Sequence, residues 1–227
     1  MKQRSLIIAL SILIPAFSFG QTDKDAKRWQ FGVIAGPQLG FLVPNDSDAK
    51  PTKGLLAGLD AGYRFQNAVK GWSVHLQPNF TMFRSKQESG DENTEYYLKM
   101  KSKSHSLMVP FLVRYTILGG KIRPFVEAGG NWVVRTSASY KMTGQFCPEG
   151  VACTPIDNEE KIRNADVTRL GALVSAGVQI DAGKVTIPIT IRAIQDIKKN
   201  EVYIDGLGEE AVFPKARMIQ ITAGVTF

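Results

Sequence analysis

The segment M-I-Q-I-T-A-G-V-T-F, from Met218 to Phe227, alternates apolar with small or polar residues up to its last position. Such alternation predicts a β-strand with two unlike faces, because successive side chains of a strand point to opposite sides of the sheet. Since chain ends normally fray in water, an apolar alternating terminus indicates that another structure holds or recognises this segment. One face of the segment carries Ile219, Ile221, Ala223, Val225 and Phe227.

The same period of two recurs along the chain and predicts eight strands. They are Gln30 to Leu42, Leu55 to Gln66, Trp72 to Ser85, Ser106 to Ile117, Ile122 to Arg135, Thr168 to Ile180, Val185 to Asp196, and Met218 to Phe227. Short Gly-containing turns alternate with long polar loops, which cover Val43 to Lys53, Lys86 to His105, Thr136 to Val167, and Ile197 to Arg217. This plan predicts an all-β, eight-stranded, antiparallel up-and-down transmembrane β-barrel of the bacterial outer membrane.

Lysine content indicates which face of these strands contacts lipid. No lysine lies within the eight predicted strands, although a strand surface that faces water would be rich in Lys and Glu. The polar face holds mainly Gly, Ser, Thr, Asn and Gln, which suit a narrow filled interior. We therefore expect the apolar face to contact lipid. Aromatic residues with this parity predict two interfacial girdles: Phe31, Tyr63, Phe65, Trp72, Tyr115 and Phe227 at the turn end, and Phe41, Phe80 and Trp132 at the loop end.

Five prolines conflict with uninterrupted strands, because proline donates no backbone hydrogen bond and a closed barrel has no free edge. They are Pro37, Pro78, Pro110, Pro124 and Pro188. Some of them must mark bulges or strand ends, so the strand limits are expected to shift by a few residues.

The N-terminal segment has the pattern of a secretory signal peptide, in which two basic residues precede an apolar run and small residues follow it. We expect cleavage before Gln21, then a short periplasmic segment over residues 21–29 and the barrel over residues 30–227. The apolar run is too short to span a bilayer as a helix. The formal net charge of +7 includes two charges of this segment, and the mild basic balance without a clustered motif argues against nucleic acid as a partner.

Cys147 and Cys153 form a C-x5-C pair in a stretch that contains Gly and Pro. In an exported protein this spacing favours a disulfide that closes a loop, because no histidine or further cysteine completes a set of metal ligands. No paired carboxylates, phosphate-binding loop or metal-ligand spacing stands out elsewhere. The sequence therefore predicts no cofactor and no metal site.

Short motifs along the chain are similar to those of one family of barrels. They are G-P-Q-L-G (Gly36 to Gly40), A-G-L-D-A-G-Y-R-F (Ala57 to Phe65), L-Q-P-N-F (Leu76 to Phe80), V-P-F-L-V-R-Y (Val109 to Tyr115), P-F-V-E-A-G-G (Pro124 to Gly130) and the terminal strand. Through them the chain resembles the PorT-like outer-membrane β-barrel proteins, among the small OmpA- and OmpX-like barrels of the porin family. The resemblance implies the eight-stranded fold and an outer-membrane location, and it implies little about activity.

Charged residues collect on the inward face of the predicted barrel. Pairing across the turn at Leu118 to Lys121 places Arg114 opposite Phe125 and diagonal to Glu127. The set is either an ion-pair network that fills the lumen or the constriction of an ion path. An eight-stranded barrel is just wide enough for side chains, which favours the network. Its members are Arg64, Arg114, Glu127, Arg169 and Arg192, with Asp60 and His75 beside them.

Two further features suggest contacts outside the lumen. Lys99, Lys101 and Lys103 continue the lipid-facing parity beyond the membrane, so they would contact lipid headgroups if the strand extends. On the last strand, Ile219, Ile221, Val225 and Phe227 are similar to the terminal signal by which the barrel-assembly machinery recognises its substrates.

These observations predict an integral outer-membrane protein without enzymatic activity, which has a structural or surface-interaction role. The expected partners are outer-membrane lipid, the barrel-assembly machinery and an unidentified surface or periplasmic protein. A narrow porin or a transport or secretion accessory barrel is the main alternative. A lipid hydrolase would need Ser106 beside His105 on the lipid side, but adjacent strand residues face opposite ways. A soluble lipocalin-like binder is the remaining alternative.

Overall fold

The computed structural model describes residues 28–43, 51–66, 68–90, 96–147, 153–163, 168–197, 200–203, 210–213 and 215–227. The predicted signal peptide and residues 21–27 of the predicted periplasmic segment lie outside the described residues. Within these ranges, no helix is long and apolar enough to cross a bilayer.

The described part of the chain forms twelve β-strands. They are β1 (Trp29–Val43), β2 (Thr52–Arg64), β3 (Gly71–Leu76), β4 (Asn79–Gly90), β5 (Tyr96–Thr116), β6 (Ile122–Phe146), β7 (Thr154–Arg163), β8 (Thr168–Asp181), β9 (Thr186–Asp196), β10 (Asn200–Tyr203), β11 (Glu210–Phe213) and β12 (Lys215–Thr226). β3 and β4 occupy one position of the sheet in succession, since both pair with β2 and β5. β7 and β8 likewise pair in succession with β6.

The main sheet closes on itself as an eight-position antiparallel ring, which confirms the predicted fold. The eight positions of the ring follow one another in chain order, with β3/β4 and β7/β8 each sharing a side of their neighbour, and β12 pairs with both β9 and β1. At the closure, Ala35 of β1 faces Ala57 of β2 on one side and Ala223 of β12 on the other. Closure leaves no strand edge with unpaired backbone N–H and C=O groups. A barrel in lipid requires this, because the hydrocarbon region contains no water to form those hydrogen bonds.

The outward face of the ring is apolar and the inward face is filled, as the alternation predicts. On β9, Ile189 and Ile191 point outward with 41% and 56% of their surface exposed, whereas the alternate residues Thr190 and Arg192 are buried in the lumen. A barrel dissolved in water would bury its apolar face instead. The soluble-binder alternative is therefore wrong for this architecture.

The aromatic residues at both ends of the apolar band are exposed on the outward face. At the turn end the rings of Trp29 and Tyr63 lie 5.0 Å apart. At the loop end Phe80 and Trp132 each leave 48% of their surface uncovered by protein. Rings at these two levels match the interfacial girdles predicted for a transmembrane barrel.

Two of the predicted long loops are largely strands. β4 and β5 pair from Asn79 opposite Met108 outward to Gly90 opposite Tyr97, and β6 and β7 form a second hairpin beyond the membrane. β5 and β6 thereby reach 21 and 25 residues. The sequence hid these extensions because both of their faces meet water, so they show no apolar period of two. The predicted loop over Ile197 to Arg217 likewise contains the β10–β11 hairpin.

Pro78 interrupts a strand, as expected for some of the prolines, and lies between β3 and β4. Its neighbour Gln77 donates its backbone N–H to the carbonyl of Pro110 over 3.0 Å. Pro110 has no N–H to donate in return, and the side-chain Nδ2 of Asn79 donates to the Gln77 carbonyl at 2.8 Å instead. The side chain thus replaces the strand hydrogen bond that proline cannot form.

Candidate functional site

The centre of the lumen contains a buried ion pair between β5 and β6. Arg114 lies directly opposite Glu127, so the predicted pairing of Arg114 with Phe125 is wrong by two residues. The reason is the hairpin connection, which is longer than predicted because the backbone hydrogen bonds end with Ile117 N donating to Pro124 O. Arg114 Nε and Nη2 donate to Glu127 Oε1 at 2.7 and 2.5 Å. The Arg114 guanidinium also lies 4.3 Å from the Phe125 ring centroid.

Glu127 links this pair directly to β8 and β9 and, through Arg192, to Gln77 between β3 and β4. Its second oxygen, Oε2, accepts a hydrogen bond from Ser175 Oγ of β8 at 2.5 Å and lies 3.4 Å from Arg192 Nη2 of β9. Arg192 Nη2 also donates to Gln77 Oε1 at 2.6 Å, on the opposite side of the barrel. Because the Glu127 side chain is fully buried, it must accept several hydrogen bonds to remain charged in the lumen. We call Arg114, Glu127, Ser175, Arg192 and Gln77 the central network.

Two other arginines of the predicted set lie outside the central network. Arg169 is near the loop end, where its Nη1 lies 3.2 Å from Asp196 Oδ2. Arg64 is at the turn end, with its Nε 2.5 Å from the side-chain amide of Gln30, whose oxygen is the acceptor when the amide is oriented to suit the contact. The predicted set is therefore divided among three levels of the barrel.

A second polar chain in the lumen has the connectivity of a Ser–His–Asp triad. Ser73 Oγ lies 3.1 Å from His75 Nε2, and His75 Nδ1 lies 2.9 Å from Asp60 Oδ1. The three side chains are buried, and Ser73 is only 4% exposed. The imidazole occupies the space above Gly62, where an added Cβ would lie 2.5 Å from His75 Cε1. This packing satisfies three buried polar groups, but it gives an acyl substrate no approach to the serine.

An apolar layer crosses the lumen on the loop side of the central network. On β5, β6, β8 and β9 its members are nearer the loop end than the network residue of the same strand, as Leu112 is relative to Arg114 and Leu173 relative to Ser175. All its members are at most 2% exposed, and Phe83 packs against them. The layer consists of Met108, Leu112, Val133, Leu173, Ile194 and Met218.

Sequence reasoning missed this apolar layer because it treated the inward positions as small and polar. One signal was available, since two adjacent apolar residues in a strand cannot both face lipid. Leu173-Val174 and Trp132-Val133 are such pairs. The contact between Gln77 and Arg192 had no comparable signal, because it joins positions 115 residues apart across a closed barrel.

The predicted disulfide between Cys147 and Cys153 is present, with the two Cα atoms 4.0 Å apart. It follows the last residue of β6 and precedes the first residue of β7. The bond therefore fastens the tip of the hairpin that extends beyond the membrane. In the ranges that the structure covers, no group of His, Cys, Asp and Glu is arranged to hold a metal ion.

Lys99, Lys101 and Lys103 lie on the extension of β5, and they differ in their contacts. Lys99 Nζ is 3.2 Å from Glu88 Oε1 on β4, and Lys86 Nζ forms an ion pair with the same oxygen at 2.7 Å. These hydrogen bonds hold the pKa of the Glu88 carboxyl below its ordinary value and raise the pKa of Lys99. Lys101 and Lys103 are exposed.

Of the residues predicted as an assembly signal, Ile219, Ile221 and Val225 lie on β12, the strand that closes the ring against β1, and Phe227 follows its last residue. Ile219, Ile221 and Phe227 point outward, with 37%, 51% and 43% of their surface exposed. Phe227 donates its backbone N–H to the Phe31 carbonyl at 2.8 Å. The last strand is thus paired over its whole length and presents an apolar face outward.

Three solved structures illustrate the similarity to known barrels. Neisserial surface protein A is 15% identical, with a TM-score of 0.43 and coverage of 89% of this chain and 98% of that chain. Ail, the attachment invasion locus protein of Yersinia pestis, is 14% identical, with a TM-score of 0.40 and coverage of 88% and 100%. The outer membrane enzyme PagL is 14% identical, with a TM-score of 0.44 and coverage of 85% and 97%. No curated protein matches the chain.

Family comparison gives a more direct assignment. The model described as "outer membrane protein beta-barrel domain" matches residues 19–193, which is more than half of the chain. Membership of this family implies a location in the bacterial outer membrane, in agreement with the closed ring and its apolar outward face. The chain therefore belongs to the outer membrane protein β-barrel domain family.

Proposed function

We propose that this protein is a non-conducting, non-enzymatic outer-membrane barrel of the PorT-like kind, with a structural or surface-interaction role. The observation that carries the proposal is the filled lumen. Glu127 joins two arginines across the barrel at the level of the central network, and the apolar layer closes the lumen immediately above it.

The apolar layer is the stronger barrier to ions. An ion that enters this apolar layer loses hydration, and the cost of an uncompensated charge in such surroundings is on the order of tens of kcal/mol. A hydrophobic constriction therefore prevents conduction even where the neighbouring level is charged. The narrow-porin alternative would require Leu112, Leu173 and the other members of the layer to move aside together.

The part of the molecule available for interactions lies beyond the membrane. Beyond the register shift at His105, β5 continues for nine residues to Tyr96, a distance of about 30 Å at the rise of an extended strand. β4 and β6 flank this extension, β7 pairs with the far side of β6, and the disulfide fastens the tip of β6 and β7. A projecting sheet of this kind supports contacts with a surface protein or with another envelope component.

The proposal excludes catalysis because the candidate nucleophiles are inaccessible to a substrate. Ser73 and Ser106 are both buried on the inward side, with 4% and 2% of their surface exposed. His105 stacks on Phe80 at the outer face, with 5.6 Å between the ring centroids, so it does not lie on the same face as Ser106. A lipid hydrolase would need the serine, histidine and acid on the lipid side.

Single-channel recording in a planar bilayer tests the proposal. Purified protein whose folded state is verified by heat-dependent gel mobility should insert without producing a steady ion current. A general porin recorded in the same bilayer controls for the sensitivity of the measurement. Discrete, long-lived conductance steps from the folded protein would refute the non-conducting role and favour the narrow porin. A pull-down from intact envelopes would then distinguish a surface-interaction role from a secretion accessory by the partner recovered.

A further inference from the structure

Six cations from four strands lie together on one outward-facing surface beyond the membrane. The register places Lys53, Arg84 and Lys103 directly opposite one another in one row across β2, β4 and β5. The next row contains Lys86, Lys101 and Lys141 across β4, β5 and β6. All six residues are exposed. We call them the basic patch: Lys53, Arg84, Lys86, Lys101, Lys103 and Lys141.

This arrangement repels itself unless anions are present. Side chains directly opposite in an antiparallel pair have Cβ atoms about 5 Å apart, and like charges at that distance destabilise the sheet. Lys86 and Lys141 are partly neutralised by Glu88 at 2.7 Å and Asp157 at 3.4 Å. In the described part of the chain, no carboxylate lies within ion-pair distance of the other four cations. Glu159 of β7 also lies directly opposite Lys141, so the uncompensated positive charge is concentrated on Lys53, Arg84, Lys101 and Lys103.

The position of the basic patch relative to the apolar band indicates which anions it meets. On β4, Arg84 follows the outward-facing Phe80 by four residues, which is about 13 Å along the strand. Because strands of such barrels are tilted by about 40°, the rise above the interface is about 10 Å. Lysine and arginine have long side chains that can place the charged group in the polar interface while the backbone lies elsewhere. The side chains of the patch therefore reach the headgroup region from this position.

We propose that the basic patch binds the phosphate groups of lipid headgroups in the outer leaflet. The inference rests on the surface role proposed above and names the ligand class of that surface. A phosphate between two strands accepts charge-assisted hydrogen bonds from cations of both, for example from Arg84 and Lys103. It thereby removes the repulsion within each row. A soluble polyanion is less suited, because the patch lies on the face that continues the lipid-contacting rows.

The structure also changes the set of lysines assigned to this role. Lys99 and Lys86 both interact with Glu88, so each contributes less free charge than Lys101 and Lys103. Arg84 and Lys53 join the lysines of β5 through strand pairing that local sequence could not reveal. The informative variant is therefore the triple substitution Arg84→Gln, Lys101→Gln, Lys103→Gln.

The test measures stabilisation of the folded protein in micelles by added lipid A that carries its phosphates. Each basic residue near an anionic surface changes the association constant about fivefold, so the triple variant should bind about 100-fold more weakly than the native protein. The matched control removes three exposed cations from the turn end: Lys70→Gln, Lys121→Gln and Lys184→Gln. A second control, Lys101→Arg with Lys103→Arg, keeps the charge.

Both controls should bind lipid A as the native protein does, and lipid A without phosphates should bind none of the variants appreciably. Heat-dependent gel mobility verifies that each variant is folded. Equal binding by the native protein and the triple variant would overturn the proposal. So would equal stabilisation by the dephosphorylated lipid, or patch-dependent binding of heparin or inorganic phosphate without binding of lipid A. None of these outcomes depends on conductance, so this proposal and the non-conducting role fail separately.

Discussion

Replacing Glu127 by glutamine should destabilise the barrel more than any other single change of one carboxylate to its amide. The substitution keeps the shape of the side chain but removes the negative charge between Arg114 and Arg192. One carboxylate oxygen also becomes an NH₂ group, which cannot accept the hydrogen bonds that Glu127 Oε1 or Oε2 now accepts. Two guanidinium groups, each 2% exposed, would then share a buried site without a counter-charge.

The expected loss is about 3 to 5 kcal/mol, because removing one partner of a buried ion pair leaves an uncompensated charge. This corresponds to a decrease of about 150- to 5,000-fold in the folding equilibrium constant, at about 1.4 kcal/mol for each factor of ten. Asp181→Asn is the matched control. Asp181 pairs with Arg123 at 3.0 Å, but its side chain is 38% exposed at the turn end. Arg123 itself is buried, but its guanidinium keeps hydrogen bonds to Gly120 O and Thr186 Oγ1, and the Asp181 carboxylate is partly solvated, so the loss should be about 1 kcal/mol.

Equilibrium unfolding in urea, measured in the same micelles for native protein and both variants, gives the free energies. The expected order of stability is native, then Asp181→Asn, then Glu127→Gln, with at least about 2 kcal/mol between the two variants. If the Glu127→Gln loss is within error of the Asp181→Asn loss, water must solvate the arginines in the lumen. That result would refute a lumen filled by protein side chains and with it the physical basis of the non-conducting role.

Three further predictions concern the hairpins and the last strand. Reduction of the Cys147–Cys153 bond should destabilise the hairpin tip by about 2 kcal/mol, the value expected for a disulfide that closes so short a loop. Limited proteolysis at the β6–β7 tip should therefore become faster, while the gel band of the folded barrel persists. Loss of that band would contradict a local role for the disulfide. Lys99→Gln removes one of two hydrogen bonds to Glu88, so NMR titration should show the Glu88 pKa rising toward its ordinary value of 4.5. In the native protein the lowered pKa means that this contact stabilises the folded state above pH 4.5, and that the stabilisation is lost as the pH falls through the folded pKa. An unchanged titration in the variant would disprove the assignment. Phe227→Ala should lower the amount of folded barrel in outer-membrane fractions, whereas Phe111→Ala, also on the outward face, should lower it less; equal amounts would count against a terminal assembly signal.

The periodic features of the barrel could be predicted from the sequence. Alternation along β9 and β12 identifies their faces, since strand geometry alone assigns successive residues to opposite sides. The absence of lysine from the predicted strands indicated that the apolar face contacts lipid. Strand limits were less accurate wherever both faces meet water, which is why the extensions of β5 and β6 were predicted as loops.

For the candidate site, the parity of each residue in its strand predicted that its side chain points inward. It did not predict which other side chain it would contact. Parity placed Arg114, Glu127 and Arg192 inside the barrel, and the structure brings these three together in one network. The same rule could not separate them from Arg64 and Arg169, which lie at opposite ends of the lumen. The height of a residue along the barrel axis depends on the register of strand pairing. A hairpin connection two residues longer than expected is enough to change that register.

By itself, the sequence determined that the strands are two-faced, that the barrel faces lipid, and that Cys147 and Cys153 are spaced for a disulfide. These are local properties, fixed by backbone geometry and by composition. Only the tertiary structure decided that Gln77 meets Arg192, that Leu112 and Leu173 lie in one apolar layer, and that Lys53 joins the basic patch. Such contacts arise because ring closure and strand register bring distant segments to the same level, and no local pattern encodes the register.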